Sequence, residues 1–188
     1  MTSVTTLVYA LCLLGSTFAV VGDSHVEWPL SRALRGELAS RGAVLVLSDA
    51  RRGWGIATFL SGRAATLAVV RGSSADVIVV VVGTNDIGIS SDVLTARYDE
   101  LVLVMGDHRW FLVGPPEFRD DVGSDVADVQ RAAVGPSFID GALTAPRWPV
   151  GRAGDGVHLT ITGGATWARN IVDEIIDSMC GRRSITVR

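Results

Sequence analysis

Five short runs of valine, isoleucine, leucine and aromatic residues, separated by longer segments of helical period, constrain this chain more than any other feature. Runs that are apolar throughout, rather than at alternate positions, suit strands buried on both faces. Strands that alternate with helices build a parallel sheet with helices on either side. The runs fall at 17–21, 43–47, 77–82, 110–113 and, more briefly, 137–139. Between the first two, Leu30, Leu34 and Leu38 recur every fourth residue with Arg32, Arg35 and Glu37 on other faces, which predicts an amphipathic helix over 30–41. Further helices are expected over 56–71, 91–105, 122–134 and 163–179, the last with Trp167, Ile171 and Ile175 at fourfold spacing. Pro115-Pro116 and the glycine-, proline- and arginine-rich stretch 141–154 predict loops. The expectation is a single open α/β domain with a five-stranded parallel sheet, whose ligand site lies at the carboxyl ends of the strands.

A chain of 188 residues, 48% hydrophobic and 20% charged, is long enough to bury one substantial core. Its net charge of -3, with 17 basic residues scattered along the sequence, provides no stripe for a phosphate backbone, so nucleic acid is not an expected partner. Cys12 and Cys180 form neither a C-x-x-C pair nor a metal cluster with the three histidines, and are read as buried free thiols in preference to a disulfide. No charged side chain occurs in residues 1–22, a pattern that a hydropathy window reads as a membrane span. A cleavable signal is not expected, because no basic residue precedes Arg32 and a cut after Ala19 would destroy the first strand. Residues 1–14 are therefore taken as an apolar extension packed on the body, on a partner protein or in lipid. They precede a domain over 15–180 and a tail over 181–188 in a chain expected to be soluble or assembly-associated.

Three polar clusters stand where an α/β site belongs. Gly22-Asp23-Ser24-His25 follows the first strand, and its serine can open a helix whose backbone N–H groups point outward. The plainer reading is a turn with Ser24 as N-cap. Gly83-Thr84-Asn85-Asp86 follows the third strand, where a side-chain amide can donate to an oxyanion or simply close an Asx turn. Asp155-Gly156-Val157-His158 lies in a loop before the last helix, and a carboxylate three residues before an imidazole can orient that ring. The three occur in the order Ser24, Asn85, then Asp155 with His158.

This set resembles the sequence blocks of the SGNH (GDSL-like) hydrolase superfamily: Gly-Asp-Ser near the N-terminus, a glycine after the second strand, Gly-x-Asn-Asp after the third, and Asp-x-x-His near the C-terminus. The resemblance implies a three-layer α/β/α domain with a flavodoxin-like sheet, and a serine esterase. Ser24 is then the nucleophile, His158 the base and Asp155 its orienting acid. The oxyanion hole comprises the Ser24 N–H, the Asn85 amide and the N–H of a second-block glycine, with Asp23 and Asp86 as supporting residues. Asp49-Ala50-Arg51-Arg52-Gly53 is similar to the second block of carbohydrate O-acetylesterase-like members, which favours Gly53 for that glycine and leaves Gly55 as the alternative. His25 stands where the family name has leucine. His25 is too close to Ser24 in a tight turn to act as its base, and His108 belongs to the amino edge of the sheet. An α/β-hydrolase elbow, G-x-S-x-G, is excluded by Val26 at the second glycine, and a G-x-G-x-x-G fingerprint by Thr58.

The resemblance implies no metal or organic cofactor. Its substrate would be a small-molecule or glycan ester, with a short acyl group such as acetyl on a carbohydrate expected first and a lysophospholipid or thioester as the alternative. Transfer to a sugar hydroxyl instead of water, or service as a structural module of an assembly, are further alternatives. Trp54, Trp148 and Arg147 are candidates for the mouth of the cleft, with core packing or surface pairing as alternatives.

Overall fold

The computed structural model describes residues 12–61, 72–118 and 123–181. Strands β1 (Thr17–Gly22), β2 (Val44–Ala50), β3 (Val77–Val81), β4 (Trp110–Val113) and β5 (Phe138–Ile139) form one sheet in the order β2-β1-β3-β4-β5, parallel throughout. β3 is buried at every position, as a continuous apolar run on both faces requires. β1 lies between β2 and β3, so successive connections leave it in opposite directions and open a crevice at its carboxyl end.

Two apolar layers flank the sheet. On one face, Phe18, Val20 and Val79 pack against Leu34 and Leu38 of α1 (Ser31–Ser40) and against Trp167, Ile171 and Ile175 of α6 (Ile161–Met179). On the other, Ala19, Val21, Ile78 and Val80 meet α2 (Ile56–Leu60), α3 (Ser91–Met105) and α4 (Ser124–Val134) through Phe59, Leu94, Leu101 and Val126. Each fully buried leucine, isoleucine or phenylalanine in these layers contributes roughly 1.5–3 kcal/mol of transfer free energy. Thr160 caps α6 by accepting the Gly163 N–H at 3.2 Å, which fixes where the helix begins and hence where the loop carrying His158 ends.

Several sequence expectations shift. A wide π turn, Val26–Leu30, precedes α1 and carries Pro29, whose missing N–H cannot make a regular helical bond. Of the helix expected over 56–71, Ile56–Leu60 is present and residues 62–71 lie outside the described residues. The expected loop 141–154 contains a short helix, α5 (Gly141–Thr144), because Asp140 Oδ1 accepts the Ala142 and Leu143 N–H groups.

The reading of two free thiols is corrected: Cys12 and Cys180 form a disulfide, with Cα atoms 6.3 Å apart. They lie 168 residues apart in sequence, and only the fold brings the start of β1 beside the end of α6. Leu13, next to Cys12, is fully buried in the layer beneath α6, while residues 1–11 and 182–188 lie outside the described residues. No helix among the described residues is long and apolar enough to cross a membrane.

Candidate active site

The crevice at the end of β1 gathers residues from four segments. After Gly22 the chain turns, and Asp23 accepts the backbone N–H of His25 on Oδ1 at 2.9 Å, as an N-cap does, so Ser24 stands at the first position of a helical stretch. The loop after β2 is tied to the same point by the Arg51 N–H, which donates to the Gly22 carbonyl at 2.9 Å. The turn after β3, Thr84–Asp86, adds Asn85, and the loop before α6 adds Asp155 and His158. Ser24, Gly53, Asn85, Asp155 and His158 line a single cleft of about 510 Å³, with Glu27 and Arg52 at its rim.

Within it, His158 Nε2 lies 2.9 Å from Ser24 Oγ, and His158 Nδ1 lies 2.6 Å from Asp155 Oδ2. The other Asp155 oxygen accepts the Val157 and His158 backbone N–H groups at 2.9 and 3.0 Å, which locks the carboxylate against the loop. These hydrogen bonds, first that to His158, hold the Asp155 carboxyl down to about 2. The loop itself is fastened where the Ala153 N–H donates to the His158 carbonyl at 2.7 Å and the Thr160 N–H to Gly151 at 2.8 Å.

Gly53 and Gly55 separate clearly. Gly53 lines the cleft at φ +72°, with open space where a Cβ would project. At Gly55 a Cβ would come within 2.3 Å of Asp86 Oδ1, so this glycine makes room for the Asp86 carboxyl against the backbone. Asn85 Nδ2 donates to the Trp54 carbonyl at 3.1 Å, and the amide carries a second hydrogen.

The carboxyls of Asp23 and Asp86 are buried. Burial pushes Asp23 up to about 7, with the Asp86 charge adding to the rise, and it also raises Asp86. His25 is packed edge-on against Trp167 and beside His158, with ring centroids 5.7 and 5.4 Å away, and burial drives it down to about 3. His108 precedes β4 at the opposite end of the sheet. Trp54 packs on the core beneath α2 with the Arg51 guanidinium 5.9 Å from its ring, and Arg147 lines a separate pocket beside Pro115 and Glu117. Trp148 borders a cavity of about 620 Å³ that shares Asp155 with the cleft and is walled by Ile87, Phe118 and Val157.

Sequence reasoning passed over Tyr98 and Gln130, two fully buried polar residues on α3 and α4 that reach the Asp86 turn. The available signal was a glutamine four residues after Val126, on a helix face otherwise apolar.

No protein-family model and no curated protein matches the chain. Solved structures do. A lipase/acylhydrolase from Enterococcus faecalis superposes with a TM-score of 0.70 at 16% identity, over 89% of this chain and 96% of that one. A candidate SGNH hydrolase from Slackia heliotrinireducens gives 0.68 at 18% identity, over 86% and 99%. A family 3 carbohydrate esterase from Clostridium thermocellum gives 0.65 at 17%, over 89% and 98%. At these identities the likeness is one of fold: the chain has the three-layer α/β/α architecture of SGNH-type esterases and acylhydrolases.

Proposed function

We propose that this chain is a serine hydrolase of carboxylic esters, with Ser24 as nucleophile, His158 as general base and Asp155 as the acid that orients the imidazole. The observation that carries the reading is the unbroken relay from Asp155 Oδ2 through both His158 nitrogens to Ser24 Oγ, at 2.6 and 2.9 Å. His158 takes the Ser24 proton through Nε2 as Oγ attacks the ester carbonyl, and Asp155 stabilises the resulting imidazolium. The tetrahedral oxygen receives hydrogen bonds from the Ser24 and Gly53 N–H groups and from the Asn85 amide. Collapse expels the alcohol, protonated by His158. Water then attacks the acyl-serine with His158 again as base. The chemistry requires no metal or organic cofactor. Asp23 and Asp86 brace their turns.

The acyl group we favour is short, of acetyl type, and the alcohol is a carbohydrate. The polar rim formed by Glu27 and Arg52 suits a hydroxylated leaving group, and the fold is shared with a carbohydrate esterase. A second reading, a longer lipid-type acyl chain, is favoured by the apolar cavity beside Asp155, whose walls are Ile87, Phe118, Trp148 and Val157. Initial rates on nitrophenyl esters from acetate to decanoate separate the two. A steep fall beyond acetate, with acetate released from an acetylated oligosaccharide, supports the first, and a maximum at octanoate supports the second.

The nucleophile is tested by labelling with a fluorophosphonate and locating the adduct. Modification of Ser24 is expected, and an adduct on Ser48 or Ser90 with Ser24 unmodified would overturn the assignment.

A further inference from the structure

A fully buried chain of hydrogen bonds runs from two helices to the turn that carries Asn85. Asp86, next to Asn85, accepts the Ile56 N–H on Oδ1 at 2.8 Å and the Tyr98 hydroxyl on Oδ2 at 2.9 Å. Tyr98 Oη in turn accepts from Gln130 Nε2 at 2.7 Å, and the same nitrogen donates to the Val82 carbonyl at 2.9 Å. Asp86, Tyr98 and Gln130 each have no solvent exposure. Ile56 opens α2 directly after the 51–55 loop, and the Asn85 amide holds Trp54 in that loop. Gly53 and Asn85 therefore stand on two segments that are bonded to each other twice, and the joint is moored to α3 through Tyr98 and to α4 through Gln130.

We infer that Tyr98 and Gln130 are positioning residues for ester hydrolysis: they fix the Asp86 turn and thereby aim the Asn85 amide and the Gly53 N–H at the oxyanion. The inference rests on the reading that Asn85 and Gly53 donate to that oxygen. Packing alone does not call for these polar atoms, since phenylalanine and an aliphatic side chain would fill the same space. A buried polar chain with its members bonded in sequence is rigid, and a donor to a transition-state charge must be held to a fraction of an ångström. The contact is close enough that Gly55 leaves no room for a Cβ beside Asp86.

Tyr98→Phe removes one oxygen and keeps the ring. With active sites counted by phosphonate titration, kcat is expected to fall by about ten- to a hundredfold while KM stays unchanged. In an Asn85→Ala background the same substitution is expected to cost only a few-fold, because just the Gly53 donor is left to misplace. A lower melting temperature with unchanged kcat per active site would overturn the inference, as would the full loss persisting without Asn85. If Tyr98→Phe does not fold, Gln130→Met carries the same expectation. Normal turnover in Asn85→Ala alone would instead overturn the oxyanion reading beneath it, so the two failures are told apart by that single variant.

Discussion

The Asp23–His25 turn and the Asp155–His158 loop hold the same two residue types within 5.4 Å of each other, ring to ring, and use them in opposite ways. With a spacing of two, Asp23 reaches the backbone N–H of His25 and not its ring. With a spacing of three, Asp155 reaches the imidazole itself. Burial then completes the division. Asp23 and His25 are 1% and 3% exposed, and Asp23 Oδ2 and His25 Nε2 have no hydrogen-bond partner among the described residues. Both are pushed toward their neutral forms, Asp23 to about 7 and His25 to about 3. Asp155 has half of its side chain in solvent and stays ionised down to about pH 2. A carboxylate supports an imidazolium only while it is charged, so the wet pair suits proton transfer and the dry pair suits the interior.

The largest effect that can break this comparison is at the histidines. His158→Ala is expected to lower kcat by about 10⁴-fold or more, as loss of a triad base does. His25→Ala is expected to keep kcat per folded site within about tenfold while costing about 2–4 kcal/mol of stability through the cavity it leaves. Turnover and urea unfolding on both variants decide the matter, and the reverse pattern would exchange the roles of the two rings.

Next are the carboxyls. Asp155→Asn keeps the shape but removes the charge and favours the wrong imidazole tautomer, and kcat should drop by about 10⁴-fold. Asp23→Asn retains an oxygen for the His25 N–H, and its kcat should change by no more than a few-fold. Steady-state rates with titrated active sites test both.

The smallest effect is on stability against pH, and it has opposite signs in the two pairs. Burial raises Asp23 from the ordinary 3.8 to about 7, so between these values the folded state holds a proton that the unfolded chain releases. The stability supplied by that proton is complete below about pH 3.8 and is lost as pH rises to about 7. Asp155, lowered to about 2, contributes stability that is present above 3.8 and lost as pH falls toward 2. Melting curves from pH 3 to pH 8 should show the wild type declining relative to Asp23→Asn between pH 4 and pH 7 and running parallel above. Parallel curves throughout would mean that Asp23 is ionised in the folded state.

The sheet was readable because β3 and β4 are apolar at every position and β1 is apolar from Phe18 to Val21, and because the turns after them carry glycine and polar residues. Ser24, Asp155 and His158 lie beside strand or helix ends where the sequence breaks its period, but taken singly each cluster also reads as an ordinary turn, and their expected roles came from the resemblance of the ordered set to the SGNH blocks. What stayed hidden depends on contacts between distant segments. Tyr98 looks like one more apolar position in the stripe Leu94, Tyr98, Leu101, and only the approach of α3 to the Asp86 turn gives its hydroxyl a partner. Gly53 and Gly55 are two residues apart and chemically identical, and the folded chain distinguishes them by the positive φ and cleft position of Gly53 and by the approach of Asp86 to Gly55. The pairing of Cys12 with Cys180 depends on the whole chain between them.

That pairing closes the backbone into a loop before the amino end of β1, at the opposite end of the strands from the cleft. Ser24 and His158 are 134 residues apart, so many single protease cuts would put the proposed nucleophile and its proposed base on different fragments. With the ring closed, such a nicked molecule keeps its fragments covalently joined and can retain the relay. It migrates as one band until a thiol reagent separates the pieces. Oxidation at Cys12 and Cys180 thus acts as insurance for the assembled site against a broken chain.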